Sequence, residues 1–288
     1  MKNFTSTTKR VNDVTSNSCA SGSIIKYVGN NPLRSRDEIS KYDAGTPCWA
    51  DLMVQDLDKA KTFYQSIFGW EMVTDPNPDF GGYTTGEING EPVCGLMGAM
   101  SPDQPSAWGI HLATDDIDES LKKVVDNGGQ IIVDKMVVGT HGTFATIQDP
   151  QGAYVSLWQA GTMIGSTIAN EVNTICWDEL ATADLPAAKK FYEAVFNYET
   201  AEGSSDDYWQ FAVNGEVRGG MRELSENESG MPSYWALYFR VVDLEAATQK
   251  IESCGGKVLT PKMNFEKIEF QAFADDQGAV FTICEYED

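Results

Sequence analysis

From Cys48 to Val54 the side chains alternate, with Trp49, Asp51 and Met53 on one face, which is the period of a β-strand. The period then changes. Asp56 stands where an N-cap belongs, and Ala60, Phe63, Tyr64 and Ile67 or Phe68 recur at helical spacing until Gly69 stops the run. Three short alternating stretches follow, near 71–74, 83–88 and 93–97, and Asn89-Gly90 between the last two is a hairpin turn. The pattern then restarts. A strand is expected over 108–114, a helix capped by Asp116 runs through Leu121, Val124 and Val125 to Gly128-Gly129, and strands are expected near 131–137, 143–148 and 153–158. The unit is therefore βαβββ, used twice.

The whole double unit recurs. CWADLMVQDLDKAKTFYQSIFGWE, from Cys48, is matched by CWDELATADLPAAKKFYEAVFNYE, from Cys176. Asn89-Gly90-Glu91 returns as Asn214-Gly215-Glu216, Trp108 as Trp235, and DPQGAYVSLW as DDQGAVFTIC. So many ordered matches mean a duplication, which fits a chain of 288 residues that is long for one core. The expected organisation is a tail over 1–44, a first domain over 45–160, a linker over 161–169 and a second domain over 170–288. The tail is rich in Ser, Thr and Asn and reads as flexible; an organelle transit peptide is the functional alternative.

Charge narrows the function. With 21 Lys and Arg against 43 Asp and Glu, the formal net charge is -22. The tail holds seven basic and four acidic residues, so the remainder is more acidic still. Such a surface repels phosphate backbones and anionic lipid, so neither nucleic acid nor membrane is an expected partner. No apolar run reaches the ~18 residues of a membrane span, and the first twenty residues lack a secretory apolar core. Six cysteines without a CxxC pair suit reduced thiols in a cytoplasmic protein. A homo-oligomer is left open.

The strand, the Asp-Leu, the helix with Phe-Tyr, the Phe-Gly-Trp, the Gly-Gly entry and the Asp-Pro-x-Gly before the last strand resemble the vicinal oxygen chelate superfamily. This family includes glyoxalase I, extradiol dioxygenases, and fosfomycin and bleomycin resistance proteins. The two-copy arrangement, entered through Gly45-Thr46-Pro47-Cys48-Trp49, resembles tandem glyoxalase-like proteins labelled hydroxylases or mycobacterial antigens. The resemblance implies an α+β fold of two tandem domains, each with two βαβββ modules forming a cup-shaped half-barrel. Whether modules pair in order or swap first with fourth is not decided by spacing. The resemblance also implies divalent-metal ligands on the first and last strands of each module. Carried across, those positions fall at Trp49 and Trp177, near Gly109 and Ala236, and at Ser156 and Thr282, none of which ligates a metal. His111 and its counterpart Tyr238, two places along, add one ligand at most. Neither metal nor other cofactor is expected.

The candidate site is then what remains in the cups. Trp49 with Asp51, and Trp177 with Glu179, put an aromatic wall beside a carboxylate in each. A carboxylate there binds a cation or amine, or acts as a base if its pKa is raised; its structural alternative is pairing with backbone or a basic side chain. Trp108 and His111, like Trp235 and Tyr238, are three apart on a strand and face opposite ways, so one of each pair lines a cup and the other packs the core. His141, in a Gly-Thr-His-Gly-Thr loop whose second-copy counterpart is Lys267, is the other candidate for acid–base work. Cys48 and Cys176 are expected to pack outward against a helix. No Walker, GxGxxG, GxSxG or HExxH motif is present.

The leading expectation is a metal-independent protein that binds an apolar or aromatic small molecule in its cups. The alternatives are a glyoxalase-like lyase, isomerase or hydroxylase acting on a small oxygenated substrate through Asp51, Glu179 or His141, and a structural or stress protein whose cups are filled by side chains.

Overall fold

The computed structural model describes residues 39–202, 208–265 and 267–286. The expectations for the tail up to residue 38 lie outside these residues.

In the first domain β1 (Pro47–Val54) leads into α1 (Leu57–Phe68), whose Asp56 cap accepts from the Lys59 amide and whose Gly69 sits at φ 71°. The strands β2 (Glu71–Thr74), β3 (Thr84–Ile88) and β4 (Glu91–Gly98) complete the first module. The second module is β5 (Ala107–Ala113), α2 (Ile117–Asp126), β6 (Gln130–Val138), β7 (Gly142–Gln148) and β8 (Tyr154–Ala160). In the second domain these become β9 (Ile175–Thr182), α3 (Leu185–Phe196), β10 (Glu199–Glu202), β11 (Tyr208–Val213), β12 (Glu216–Glu223), β13 (Tyr234–Arg240), α4 (Leu244–Ser253), β14 (Lys257–Val258), β15 (Met263–Phe265), β16 (Ile268–Ala274) and β17 (Val280–Tyr286). All four helices start on an aspartate whose carboxylate accepts an amide of the first turn, which is why the sequence marks each start clearly.

Modules pair in order. One sheet runs β2-β3-β4-β1-β5-β8-β7-β6, the other β10-β11-β12-β9-β13-β17-β16-β14 with β15 added on β16. The antiparallel pairs β1–β5 and β9–β13 join the modules at the centre of each sheet. Each sheet curls into a cup without closing. In the first domain Phe80, between β2 and β3 near one end of the strand order, has its ring 5.5 Å from that of His141 in the β6–β7 turn at the other end.

One continuous core joins the domains. Trp108 on β5 packs at 5.4 Å from Phe239 on β13, and Phe68 and Trp70 meet Phe239 and Phe281. The helices pair across the boundary, α1 with α4 and α2 with α3. The sheets are thus back to back, and the opposite face of each, carrying the cup, turns outward. Burying both backs in a single core explains why these strands are mainly apolar on that side.

Tyr42 is buried and donates from its hydroxyl to the Ser166 carbonyl at 2.6 Å, so the chain just before 45 packs on the linker. The linker is itself ordered: the Ser166 amide donates to the Cys48 carbonyl, and a Cβ on Gly165 would lie 2.3 Å from that same oxygen. At this crossing only glycine fits, at φ 116°.

Candidate functional site

The register decides which residues share a cup. Trp49 on β1 stands opposite His111 on β5, and His111 stands beside Ser156 on β8. The same row in the second domain is Trp177, Tyr238 and Thr282. The positions expected near Gly109 and Ala236 belong one pair further along, opposite Asp51 and Glu179. The row that holds Trp49 thus contains His111, and the row that holds Trp177 contains Tyr238.

His111 and Tyr238 therefore line the cups, and Trp108 and Trp235 do not. Trp108 donates its indole N–H to the Tyr64 hydroxyl at 3.0 Å, and Trp235 to that of Tyr192 at 2.9 Å. Both indoles belong to the packing between the domains, so they are the members of each pair that pack the core. A single alternating strand has room for only one cup-facing member in each pair.

In the first cup, Asp51 gathers every donor near it. Tyr83 donates to Oδ1 at 2.5 Å, the Trp49 indole N–H lies 3.0 Å from Oδ1 and 2.9 Å from the Tyr83 oxygen, and His111 Nε2 is 2.9 Å from Oδ2. The close approach of Tyr83 and Asp51 needs Gly95 beneath them: a Cβ there would be 1.9 Å from the Tyr83 oxygen. Burial pushes the Asp51 carboxyl up, but the His111, Tyr83 and Trp49 bonds outweigh it and hold the group below the usual carboxylate range. A carboxylate so stabilised is a weaker proton acceptor than a free one. His111 is 7% exposed, and its Nδ1 has no hydrogen-bond partner. Around this cluster lie Trp158, Phe144 and Met163, with Tyr42 and Cys48 at one end.

The second cup repeats the plan with different chemistry. Glu179 accepts from Arg222 Nε at 2.8 Å and from the Tyr238 hydroxyl at 3.0 Å, while Trp177 donates to the Tyr208 hydroxyl at 3.2 Å. Arg222, at the position of Met97 in the first copy, was not singled out from the sequence, although it is a basic residue where the first copy has an apolar one. Its other nitrogens donate to Glu228, to the Glu223 carbonyl and to Tyr234. The Arg222 bond, ahead of burial that opposes it, holds Glu228 far below the usual range. Glu179 is thus one end of an ion-pair chain.

His141 sits apart from both clusters. Its backbone is held in the hairpin turn by Val138, Gly161 and Met163, and its ring faces Phe80 at the cup rim. Cys48 and Cys176 do not pack on helices as expected. Cys48 lies under the linker and Cys176 lies 3.1 Å, sulfur to sulfur, from Cys284. The strand irregularities at both positions turn these side chains aside.

A family model described as Glyoxalase/Bleomycin resistance protein/Dioxygenase superfamily matches residues 48–157 and again 172–283. The chain belongs to this superfamily. Among the members of this glyoxalase superfamily that resemble it, a Mycobacterium tuberculosis protein named "Putative glyoxylase CFP32" is 36% identical over 252 residues, which is 85% of this chain and 96% of that one. The anthracycline biosynthesis protein DnrV of Streptomyces peucetius is 28% identical over 265 residues, 86% and 95% of the two chains. In three dimensions the chain resembles a Mn(II)-bound glyoxalase from Novosphingobium aromaticivorans, with TM-score 0.60, 16% identity and 84% and 82% of the two chains covered. It also resembles the 2,3-dioxygenase LapB from Pseudomonas sp. KL28, with TM-score 0.59, 13% identity and 86% and 94% covered. At these identities the structural likeness speaks for the fold alone. No helix among the described residues is long and apolar enough to cross a membrane.

Proposed function

We propose that this glyoxalase-superfamily protein works as a small-molecule-binding protein, taking an apolar or aromatic compound into a cup without a divalent metal ion. The observation that carries the reading is the row across each cup. Where family members with metal place ligating side chains, this chain has Trp49, His111 and Ser156 in one cup and Trp177, Tyr238 and Thr282 in the other. One imidazole, already bonded to Asp51, does not fit a metal that needs three protein ligands. Among the described residues no three His, Cys, Asp or Glu side chains converge on one point. What the cups do offer is aromatic surface with a few fixed polar groups, which is the make-up of a binding site for a diffusible compound in the cytoplasm.

Isothermal titration of a panel of aromatic compounds, with and without prior dialysis against EDTA, tests this. Binding that survives chelation supports the reading. Binding restored only by Mn(II) or Fe(II), or a stoichiometric metal in the purified protein, overturns it.

A second reading has one observation in its favour. Asp51 holds the His111 imidazole by Nε2 and Nδ1 has no hydrogen-bond partner, a placement that suits a carboxylate-oriented base. A metal-free isomerase or lyase would use His111, and its turnover would vanish in H111F while ligand binding persists.

A further inference from the structure

Hydrogen-bond donors are almost entirely consumed inside both cups, and this limits what the site can recognise. In the first cup the three N–H and O–H groups closest to the centre, from Trp49, Tyr83 and His111, all point at Asp51. The polar capacity left over on oxygen is lone pairs, a second one on Asp51 Oδ2 and one on the Tyr83 oxygen, and Nδ1 of His111 has no partner. Thr146 and Ser156 satisfy each other and leave a single hydroxyl hydrogen in the neighbouring row. In the second cup the five N–H groups of Arg222 are all taken, one by Glu179, two by Glu228, one by the Glu223 carbonyl and one by Tyr234. That guanidinium has nothing left for an anionic ligand.

Charge points the same way. Asp51 is ionised, its side chain is 20% exposed, and its partner is an imidazole; Glu179 is only 7% exposed and lies against a guanidinium. The first cup is therefore the one whose carboxylate is the more exposed of the two. Trp49 and Tyr83 meet Asp51 through their N–H and O–H, and Trp49 belongs to one cluster with Phe144 and Trp158, which offers apolar aromatic area to the body of a ligand. The surface field of a chain with net charge -22 draws cations and repels anions before contact.

We propose that the first cup recognises a protonated amine carried on an apolar or aromatic body, with Asp51 as the charge partner and Trp49 and Tyr83 as the ring surface beside it. An aromatic carboxylate of the same shape is rejected, since it would meet lone pairs wherever it needs donors. This rests on the binding reading above and adds its charge selectivity.

Three probes of one shape separate the two claims: 1-naphthylmethylammonium, 1-naphthylmethanol and 1-naphthoate, titrated by calorimetry into the full-length protein near neutral pH. The ammonium should bind about tenfold or more tighter than the alcohol, the scale of one charge-assisted contact, and the carboxylate weakest. If alcohol and ammonium bind alike, or the carboxylate binds best, the charge selectivity is overturned and the binding reading stands. If none binds, both fall. D51N should erase the preference for ammonium over alcohol while still binding the alcohol. D58N removes the same charge from a side chain that is 95% exposed on α1 and should keep the preference. Equal loss in D51N and D58N would place the effect in the overall field and overturn the assignment to the cup. Should D51N fail to fold, the order of the three probes on the unmodified protein still decides.

Discussion

The Tyr64 hydroxyl of the first domain lies 3.1 Å from Asp275 Oδ2 of the second, and Tyr192 of the second reaches Asp149 Oδ2 of the first at 3.0 Å. Each aspartate also uses Oδ1 to accept two amides of its own turn, Gln151 and Ala153 for Asp149, and Gln277 and Ala279 for Asp275. The Asp-x-x-Gly motif thus shapes a turn and clasps the other domain with the same side chain. Phe-Tyr on the helix and Asp before the last strand are two halves of one contact, met only after duplication brings the copies together.

That clasp should be measurable. Y64F removes the acceptor of the Trp108 indole and a donor to Asp275 together, both in buried surroundings. Urea unfolding should show a loss of about 2 kcal/mol or more, larger than one ordinary hydrogen bond. Y192F should match it, and the double variant should be close to additive, since the two clasps share no partner.

Asp178 offers a pH signature. It lies between Trp177 and Glu179 but faces away from the cup, where the first copy has Ala50, and burial raises its carboxyl to about 7. A carboxyl that holds its proton more tightly folded than unfolded stabilises the fold at low pH. That contribution is full below about 4 and is lost as pH rises to about 7, after which the curve is flat in this group. D178N should flatten the fall between these limits and melt higher than the parent above pH 7, by an amount on the order of 2–4 kcal/mol. A parent and a variant with parallel stability curves across pH 4–7 would refute this.

Gly95 and Gly220 each sit under a tyrosine hydroxyl, at 1.9 and 2.1 Å from an added Cβ. G95A should push Tyr83 off Asp51 and cost about 1–3 kcal/mol by thermal unfolding, because the wall strand cannot retreat from its parallel neighbour. It should also change the emission of Trp49, which shares that oxygen.

Arg222 is the residue that makes the second cup unlike the first. R222M, which installs the residue type of the first copy, leaves Glu179 and Glu228 without their cation. The expected cost is about 3 kcal/mol, and adding E228Q should recover part of it, since the penalty is the uncompensated charge more than the lost bonds. Chemical denaturation of the three variants checks both statements.

Much of this was legible in one dimension. The aspartate caps, the glycine stops and the Asn-Gly turns appear in the sequence because they satisfy local backbone needs that residue identity alone reveals. The pair Trp49 and Asp51, and its partner Trp177 and Glu179, could be placed in the cups by alternation. The contents of the opposite wall could not. Trp108 and His111 are equally good cup residues by spacing, and only the pairing of Trp49 with His111 separates them. Arg222 and Tyr83 were missed because their roles depend on strands adjacent only in space.

What the chain determined on its own was therefore the repeat, the order of strands and helices, and the identity of two carboxylates beside two tryptophans. All of these follow from backbone propensity and periodicity within some twenty residues. The tertiary structure decided that modules pair in order, that Trp108 and Trp235 belong to the shared core, and that Asp51 and Glu179 spend their lone pairs on neighbours. Those outcomes rest on register and on the close approach of side chains far apart in sequence, and a hydrogen bond is satisfied or left open only once both of its ends have a place.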